Sequence, residues 1–253
     1  MKKILLIFVT FFSFSDSINS QIQYDVVSSV LVGPGIYHTH YVTPSIPYNI
    51  HVLQVDLKNQ YVKMKTVKAQ NRLVGSEKTS SMASRNSYAG HRVIGAVNAD
   101  FYGKGGVHIN IQIVNGEMLR KPIDVSTIGF DTSNHPSLGI VYYTGTLKTA
   151  NESRAINNVN ATRNTDQLIL YNSFQGASTQ TNIFGTEVLV TPLTPWIVND
   201  TVICKVDTLV SGVGNMSISI GKAVLSVHGA SETFLTANVK KGDTIKIYLG
   251  ISP

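Results

Sequence analysis

Residues 92–119 read RVIGAVNADFYGKGGVHINIQIVNGEML, and the parsing of this stretch decides what kind of fold the chain adopts. Val93, Ile94, Ala96 and Val97 are apolar and are followed at once by Asn98 and Asp100. Strand side chains alternate between faces, so residues two apart share one. The pattern therefore predicts a strand over 92–101 that leaves the core and projects Asn98 and Asp100 together. Three of the four residues at 103–106 are Gly. They predict a tight turn whose N–H groups can converge on an anion, with the charge of Lys104 added. From spacing alone, an ordinary Gly-rich hairpin turn capped by Asn98 and Asp100 is the simpler reading. The apolar run HINIQIVNG, 108–116, returns as a second strand and ends in an Asn-Gly turn signal.

Working outward, β-branched and aromatic runs bounded by Gly, Pro or Asn-Gly predict further strands over 49–57, 61–69, 137–147, 166–172, 187–193, 202–210, 217–227 and 243–250. Two short helices fit the gaps. One begins near Thr79 with Met82 and Ala83 inward. The other has Ser231 as N-cap, Phe234 and Leu235 inward and Gly242 beyond its end. The predicted class is α+β, a strand-rich mixed or antiparallel sheet with a few short helices. The Asn- and Thr-rich stretch 149–165 reads as a loop joining two halves of one fold.

The chain has 253 residues, a formal charge of +6 and 43% hydrophobic residues. It opens MKKILLIFVTFFSFSDSINSQ, where Lys2 and Lys3 precede an apolar run and a small polar segment. That order predicts a signal peptide over 1–20, and the apolar run is short for a membrane span. The expected product is secreted or periplasmic, with no membrane partner once the signal is cleaved. Loss of Lys2, Lys3 and Asp16 with the first 20 residues takes the charge from +6 to +5 over the remaining 233. Lys58, Lys63, Lys65, Lys68 and Arg72 supply much of it and read as the solvated outer face of the 61–69 strand. They are not interleaved with a stacking platform, which argues against nucleic acid as a partner. Cys204, the only cysteine, has no intramolecular disulfide partner and reads as a buried thiol. His38, His40 and His108 do not have the spacing of a metal set, and no cofactor is identified.

Taken in order, these segments resemble the phosphodiester glycosidase family, to which N-acetylglucosamine-1-phosphodiester α-N-acetylglucosaminidase, the uncovering enzyme, belongs. AVNADFYGKGG followed by INIQIVNGEML is similar to the family's core signature. Upstream, GIYHTHYVTPSIPYNIHVLQVDLKN resembles the family's opening, and KTSSMASRNSYAG the helix before the Asn motif. Downstream, LILYNSFQGASTQTNIFGTEVLV resembles a strand, a Thr- and Asn-bearing loop and a Gly-Thr-Glu-Val strand. The resemblance covers most of residues 35–230. Family members continue with an Arg-Thr-Ala-Ile-Gly-like strand and an Asp-Gly-Gly-Gly-Ser motif that do not occur here, so it implies a domain over 21–253 that is incomplete at its C-terminal end.

The resemblance implies hydrolysis of a glycosyl-1-phosphodiester linkage in a glycan or envelope polymer. A phosphate monoester is a weakly basic leaving group that hardly needs protonation. The demand is for a carboxylate near the anomeric carbon, where oxocarbenium-like charge develops, and for donors around the phosphate. The resembling segments place Asp100 and Glu187 as the catalytic carboxylates. Asn98, Lys104, Gly105, Gly106, Asn110 and Thr179 are the corresponding substrate-binding candidates. In the family the Asn98 position is more regular than that of Asp100, which can be Gly. The alternative is a non-catalytic glycan-binding or surface module on the same scaffold.

Overall fold

The computed structural model describes residues 22–44 and 46–253. The signal peptide expected at 1–20 lies outside the described residues. Two compact units are formed, one ending at Asp56 and one spanning Leu57–Pro253.

The first unit is an antiparallel meander of β1 (Asp25–Gly33), β2 (Ile36–Val42) and β3 (Asn49–Val55). Gly35, at φ +69°, supplies the left-handed position of the β1–β2 turn. Only β3 falls within a strand named from the sequence.

In the second unit, β4 (Gln112–Val114) and β5 (Glu117–Arg120) form one hairpin, and β6 (Thr127–Phe130) and β7 (Pro136–Gly139) another. The remaining strands build an eight-stranded sheet. They are β8 (Tyr142–Lys148), β9 (Ser153–Ala155), β10 (Asn158–Val159), β11 (Leu168–Asn172), β12 (Thr186–Pro192), β13 (Thr201–Ser211), β14 (Ala223–Val227) and β15 (Thr244–Ser252). Their spatial order is β10-β11-β14-β12-β13-β15-β8-β9. All pairs are antiparallel except β10 with β11. Alternation divides the side chains of this sheet between two cores. Leu168, Leu170, Val188, Val190 and Leu225 face the larger, with Met118 of β5 packed against them. Ile169, Tyr171, Val224 and Leu189 face the smaller. Cys204 lies in the larger core, where burial pushes its thiol up to about 12.

The class is more nearly all-β than α+β. Among the described residues the two α-helices are α1 (Thr79–Arg85) and α2 (Ser231–Asn238). α1 buries no side chain fully, whereas α2 sets Phe234 and Leu235 into the larger core. Ser231 is the first helical residue and not the cap. Its hydroxyl donates to Asp166 O and accepts from Arg154 Nη2, while Glu232 reaches back to Gly229 N at 3.2 Å. The 149–165 stretch, expected as a loop, contains β9 and β10.

Two expected strands do not form. Over 61–67 the backbone has no ladder partner and is held by side chains instead. Asn134 Nδ2 donates to Val62 O at 2.9 Å, and Gln112 Nε2 to Val67 O at 3.0 Å. Over 92–99 there is likewise no regular structure, and Val97 is 78% exposed. Alternating apolar residues satisfy the strand pattern, but a strand exists only where a neighbour accepts from its N–H groups and donates to its C=O groups.

One pair of side-chain amides joins hairpin to sheet. Asn172 Nδ2 donates to Met118 O at 3.0 Å and Asn160 Nδ2 to Leu119 O at 3.0 Å, while the two side chains bond each other at 2.7 Å. Both residues are buried. Replacing Asn172 with Ala leaves buried polar groups without partners, each costing about 1–3 kcal/mol. Asn172→Ala is therefore expected to lose about 2–3 kcal/mol in urea unfolding with an unchanged m-value, against less than about 0.5 kcal/mol for an exposed Asn→Ala control.

Candidate functional site

The loop at 103–106 is a 3-10 turn built on glycine. Gly105 and Gly106 both have φ +74°, and a Cβ at Gly106 would lie 2.4 Å from Gly75 O. No other residue permits that approach. The loop bonds inward: Gly106 N donates to Gly103 O at 3.1 Å, Gly103 N to Val107 O at 2.8 Å, and Gly75 N to Gly105 O at 2.8 Å. Two of the N–H groups expected to converge on an anion are thus engaged within the loop.

The buried cation beside the loop is Lys68, not Lys104. Lys104 is exposed, whereas Lys68 is buried and donates from Nζ to Gly106 O at 2.7 Å. Burial lowers the Lys68 ammonium below its ordinary value, and the negative charge of Asp100 works against that shift. This corrects the reading of Lys68 as part of a solvated strand face. The side chain is held inward because residues 62–67 run without a ladder and deliver it under the Gly turn.

His108 lies at the same place. It is 5% exposed, and neither ring nitrogen has a hydrogen-bond partner. Burial lowers its imidazole to about 4, assisted by the charges of Lys68 and Arg120 and opposed by Asp100. Arg120, on β5, donates from Nη1 to His108 O at 2.9 Å. Lys68, Arg120 and Asp100 thus all lie close enough to the neutral His108 to act on it electrostatically. The sequence marks Lys68 only as one of several basic residues on an expected strand face, and Arg120 falls outside the expected strands.

Asp100 is exposed and accepts from Asn110 N at 3.0 Å through Oδ2. Asn110 itself is buried. Its amide donates to Thr127 Oγ1 at 2.8 Å and accepts from Ile123 N at 3.0 Å, which gives it a positioning role beneath Asp100. Asn98 is exposed and accepts from Thr79 Oγ1 at 2.7 Å. An open groove of about 250 Å³ runs beside this pair, between Thr79, Ser80 and Ala83 of α1 and residues 93–96.

Glu187 and Thr179 are not brought to this cluster. Glu187 is fully buried, pairs with Ser226 across β12 and β14, and lies on the smaller-core face, opposite the face on which Met118 packs. Its Oε1 accepts from Thr181 Oγ1 at 2.9 Å and Ser226 Oγ at 2.8 Å, and its Oε2 from Met216 N at 2.9 Å. Arg163 Nη1 donates to Ser226 Oγ at 2.9 Å, bringing positive charge to the network. Thr179, also buried, bonds Thr181 Oγ1 at 3.0 Å. A carboxylate closed in by three donors joins strands and is out of reach of a polymer substrate. Of the expected residues, the structure places Asp100, Gly105, Gly106 and Asn110 around one loop and Glu187 with Thr179 in a separate network.

Two groups, the buried His108 and the half-buried Glu117, give opposite pH slopes. His108 has a folded value below its unfolded one, so the unfolded chain binds the extra proton and stability falls as pH drops from about 6.5 towards about 4. Glu117 has the reverse sign. Burial raises its carboxyl to about 7, with Asn172 opposing, so its contribution is lost as pH rises through that value. Replacing His108 with Gln is expected to reduce the loss of stability between pH 6.5 and pH 4, measured by chemical denaturation. An unchanged loss would mean that His108 is not held neutral by burial.

No protein-family model matches the chain, and no curated protein matches it. Two solved structures share its fold. A "hypothetical protein from Synechocystis" superposes with a TM-score of 0.63 at 13% identity, over 90% of this chain and 41% of that one. A "putative exported protein" from Burkholderia pseudomallei K96243 superposes with a TM-score of 0.55 at 16% identity, over 85% of this chain and 46% of that one. The chain thus spans less than half the length of either, and at these identities the likeness shows the fold alone.

Proposed function

We propose that this chain belongs to an exported phosphodiester glycosidase and forms the part that holds the sugar-phosphate of a glycosyl-1-phosphodiester in a glycan or envelope polymer. The observation that carries the reading is the buried Lys68 and unpartnered His108 beneath the Gly103–Gly106 turn, beside the exposed Asp100. A buried cation close to an acceptor carboxylate matches a substrate that carries an anion next to a carbon developing positive charge. The exported character of one fold neighbour agrees with the N-terminal signal expected from the sequence. Among the described residues no helix is long and apolar enough to cross a membrane.

In this reading Lys68, Arg120 and Lys104 hold the phosphate, and Asn98 binds a sugar hydroxyl at the groove beside α1. Asp100 faces the anomeric carbon and stabilises the oxocarbenium-like charge as the C1–O bond breaks. The phosphate monoester leaves as a dianion without a proton from the protein, and water adds to that carbon and gives up one proton to solvent, leaving the free sugar. Gly105 and Gly106 allow the close approach of Val74 and Gly75 to the turn. A second reading, a glycan-binding module without turnover, is favoured by one observation: Glu187, the other expected carboxylate, is closed in on the opposite face of the sheet.

The test uses a synthetic glycosyl 1-(methyl phosphate) diester. Asn98→Ala is expected to weaken its binding by about 0.5–1.5 kcal/mol, the value of a hydrogen bond between neutral groups, with a thermal midpoint close to that of wild type. Asp100→Asn keeps the oxygen that accepts from Asn110 N and is expected to slow release of methyl phosphate by about 10²-fold or more. Binding without release in the wild type would select the glycan-binding module. Unchanged affinity with a lowered midpoint in Asn98→Ala would make that residue a structural cap.

A further inference from the structure

The three-stranded unit carries a row of imidazoles on one face. His40 lies opposite His51 in register, and His38, two residues along β2, lies on the same face opposite Leu53. His38 Nε2 and His51 Nδ1 are 3.0 Å apart, with ring planes 9° from parallel. His51 stacks on His40, with centroids 4.4 Å apart and planes at 13°, and His40 Nε2 is held by Asn49 Oδ1 at 3.0 Å. His51 is exposed, and His38 and His40 are half-buried.

Two imidazole nitrogens at this distance repel, lone pair to lone pair, unless a proton lies between them. A divalent transition metal can take that proton's place. Metal–nitrogen bonds of about 2.0–2.1 Å at a tetrahedral angle set two nitrogens about 3.3 Å apart. To become a chelate the pair opens by about 0.3 Å and the two rings turn so that both lone pairs converge on the metal instead of on each other. Both ligands stand on paired strands, with β2 bonded along both edges, so little ordering remains to be done on binding. His40 lies over the His51 ring and fixes its plane, which makes it a positioning residue. Among the described residues no three His, Cys, Asp or Glu side chains form a metal-holding group, and the chemistry here is that of two imidazoles with water completing the coordination. Imidazole favours zinc, copper and nickel over magnesium or calcium, which require oxygen ligands.

We infer that His38 and His51 form a surface chelate for a divalent transition metal, independent of the sugar-phosphate site. The test is calorimetric titration of the untagged full chain with Zn²⁺, and with Mg²⁺ for comparison. One saturable Zn²⁺ site in the micromolar range is expected, with no Mg²⁺ heat. His38→Ala and His51→Ala should each weaken Zn²⁺ binding tenfold or more, and His40→Ala less than threefold. A wild type without saturable Zn²⁺ binding overturns the proposal, and so does undiminished affinity in His38→Ala and His51→Ala. Equal loss in His40→Ala would overturn the two-ligand assignment. A second measurement needs no substitution. Substoichiometric Cu²⁺ should broaden the ring resonances of His38 and His51 before that of the exposed His135, and the reverse order would contradict the site.

Discussion

The amide pair Asn160–Asn172 is the constraint on which the candidate site depends. Asn172 ends β11 and Asn160 follows β10, and together they hold the backbone of Met118 and Leu119 in β5. The chain leading into that hairpin carries His108 and Asn110, and β5 itself ends in Arg120. Asn172 acts on the other side as well, because its Oδ1 accepts from Phe174 N, and Phe174 O accepts from Leu73 N. The segment so tethered runs back to Lys68 and on to Gly75, which bonds the Gly turn. Both walls of the cluster therefore hang on one buried hydrogen-bonded pair at the edge of the sheet. Carboxamides suit this task because each offers donors and an acceptor without a charge to desolvate.

Burial of a charge follows a different rule on the far face. Glu187 is fully buried on β12, and its presence there is tolerable only because Thr181, Ser226 and Met216 N satisfy it. The Thr- and Asn-bearing loop at 178–184 exists in this form to supply such donors. Asn182 Oδ1 and Phe184 O in turn receive Arg163. A network closed on itself in this way stabilises strand pairing, and it explains why a sequence motif rich in polar residues need not be a binding site.

Much of the large sheet was legible. β11, β12, β13 and β15 lie within a residue or two of the runs that predicted them, because each is a β-branched segment with neighbours on both sides. α2 was legible through the apolar pair Phe234–Leu235 in a segment bounded by Ser231 and Gly242. What was not legible was whether an alternating run finds a partner. Residues 61–67 and 92–99 have strand composition, yet pairing depends on what lies beside them in space. The same blindness hid Lys68, which reads as one of several solvated lysines and becomes a buried donor because its segment leaves the ladder. His51 was missed as a partner of His38 because cross-strand register cannot be seen before the β2–β3 pairing is known. Gly105 and Gly106 do form the turn that glycine demand marks in the sequence, and Asp100 lies beside it. The expected pairing of Asp100 with Glu187 failed on parity, because Glu187 alternates onto the other side of the sheet.

The central claim, that the Lys68, Asp100 and His108 cluster receives a sugar-phosphate, is tested most directly by amide and side-chain NMR of the chain titrated with a glycosyl-1-phosphate diester. Shift changes are expected to concentrate at residues 66–70, 98–110 and 118–121, with the His108 ring among the most affected. Shifts centred on Thr179, Thr181 and Glu187 instead, or a spectrum that does not move at saturating diester, would contradict the account.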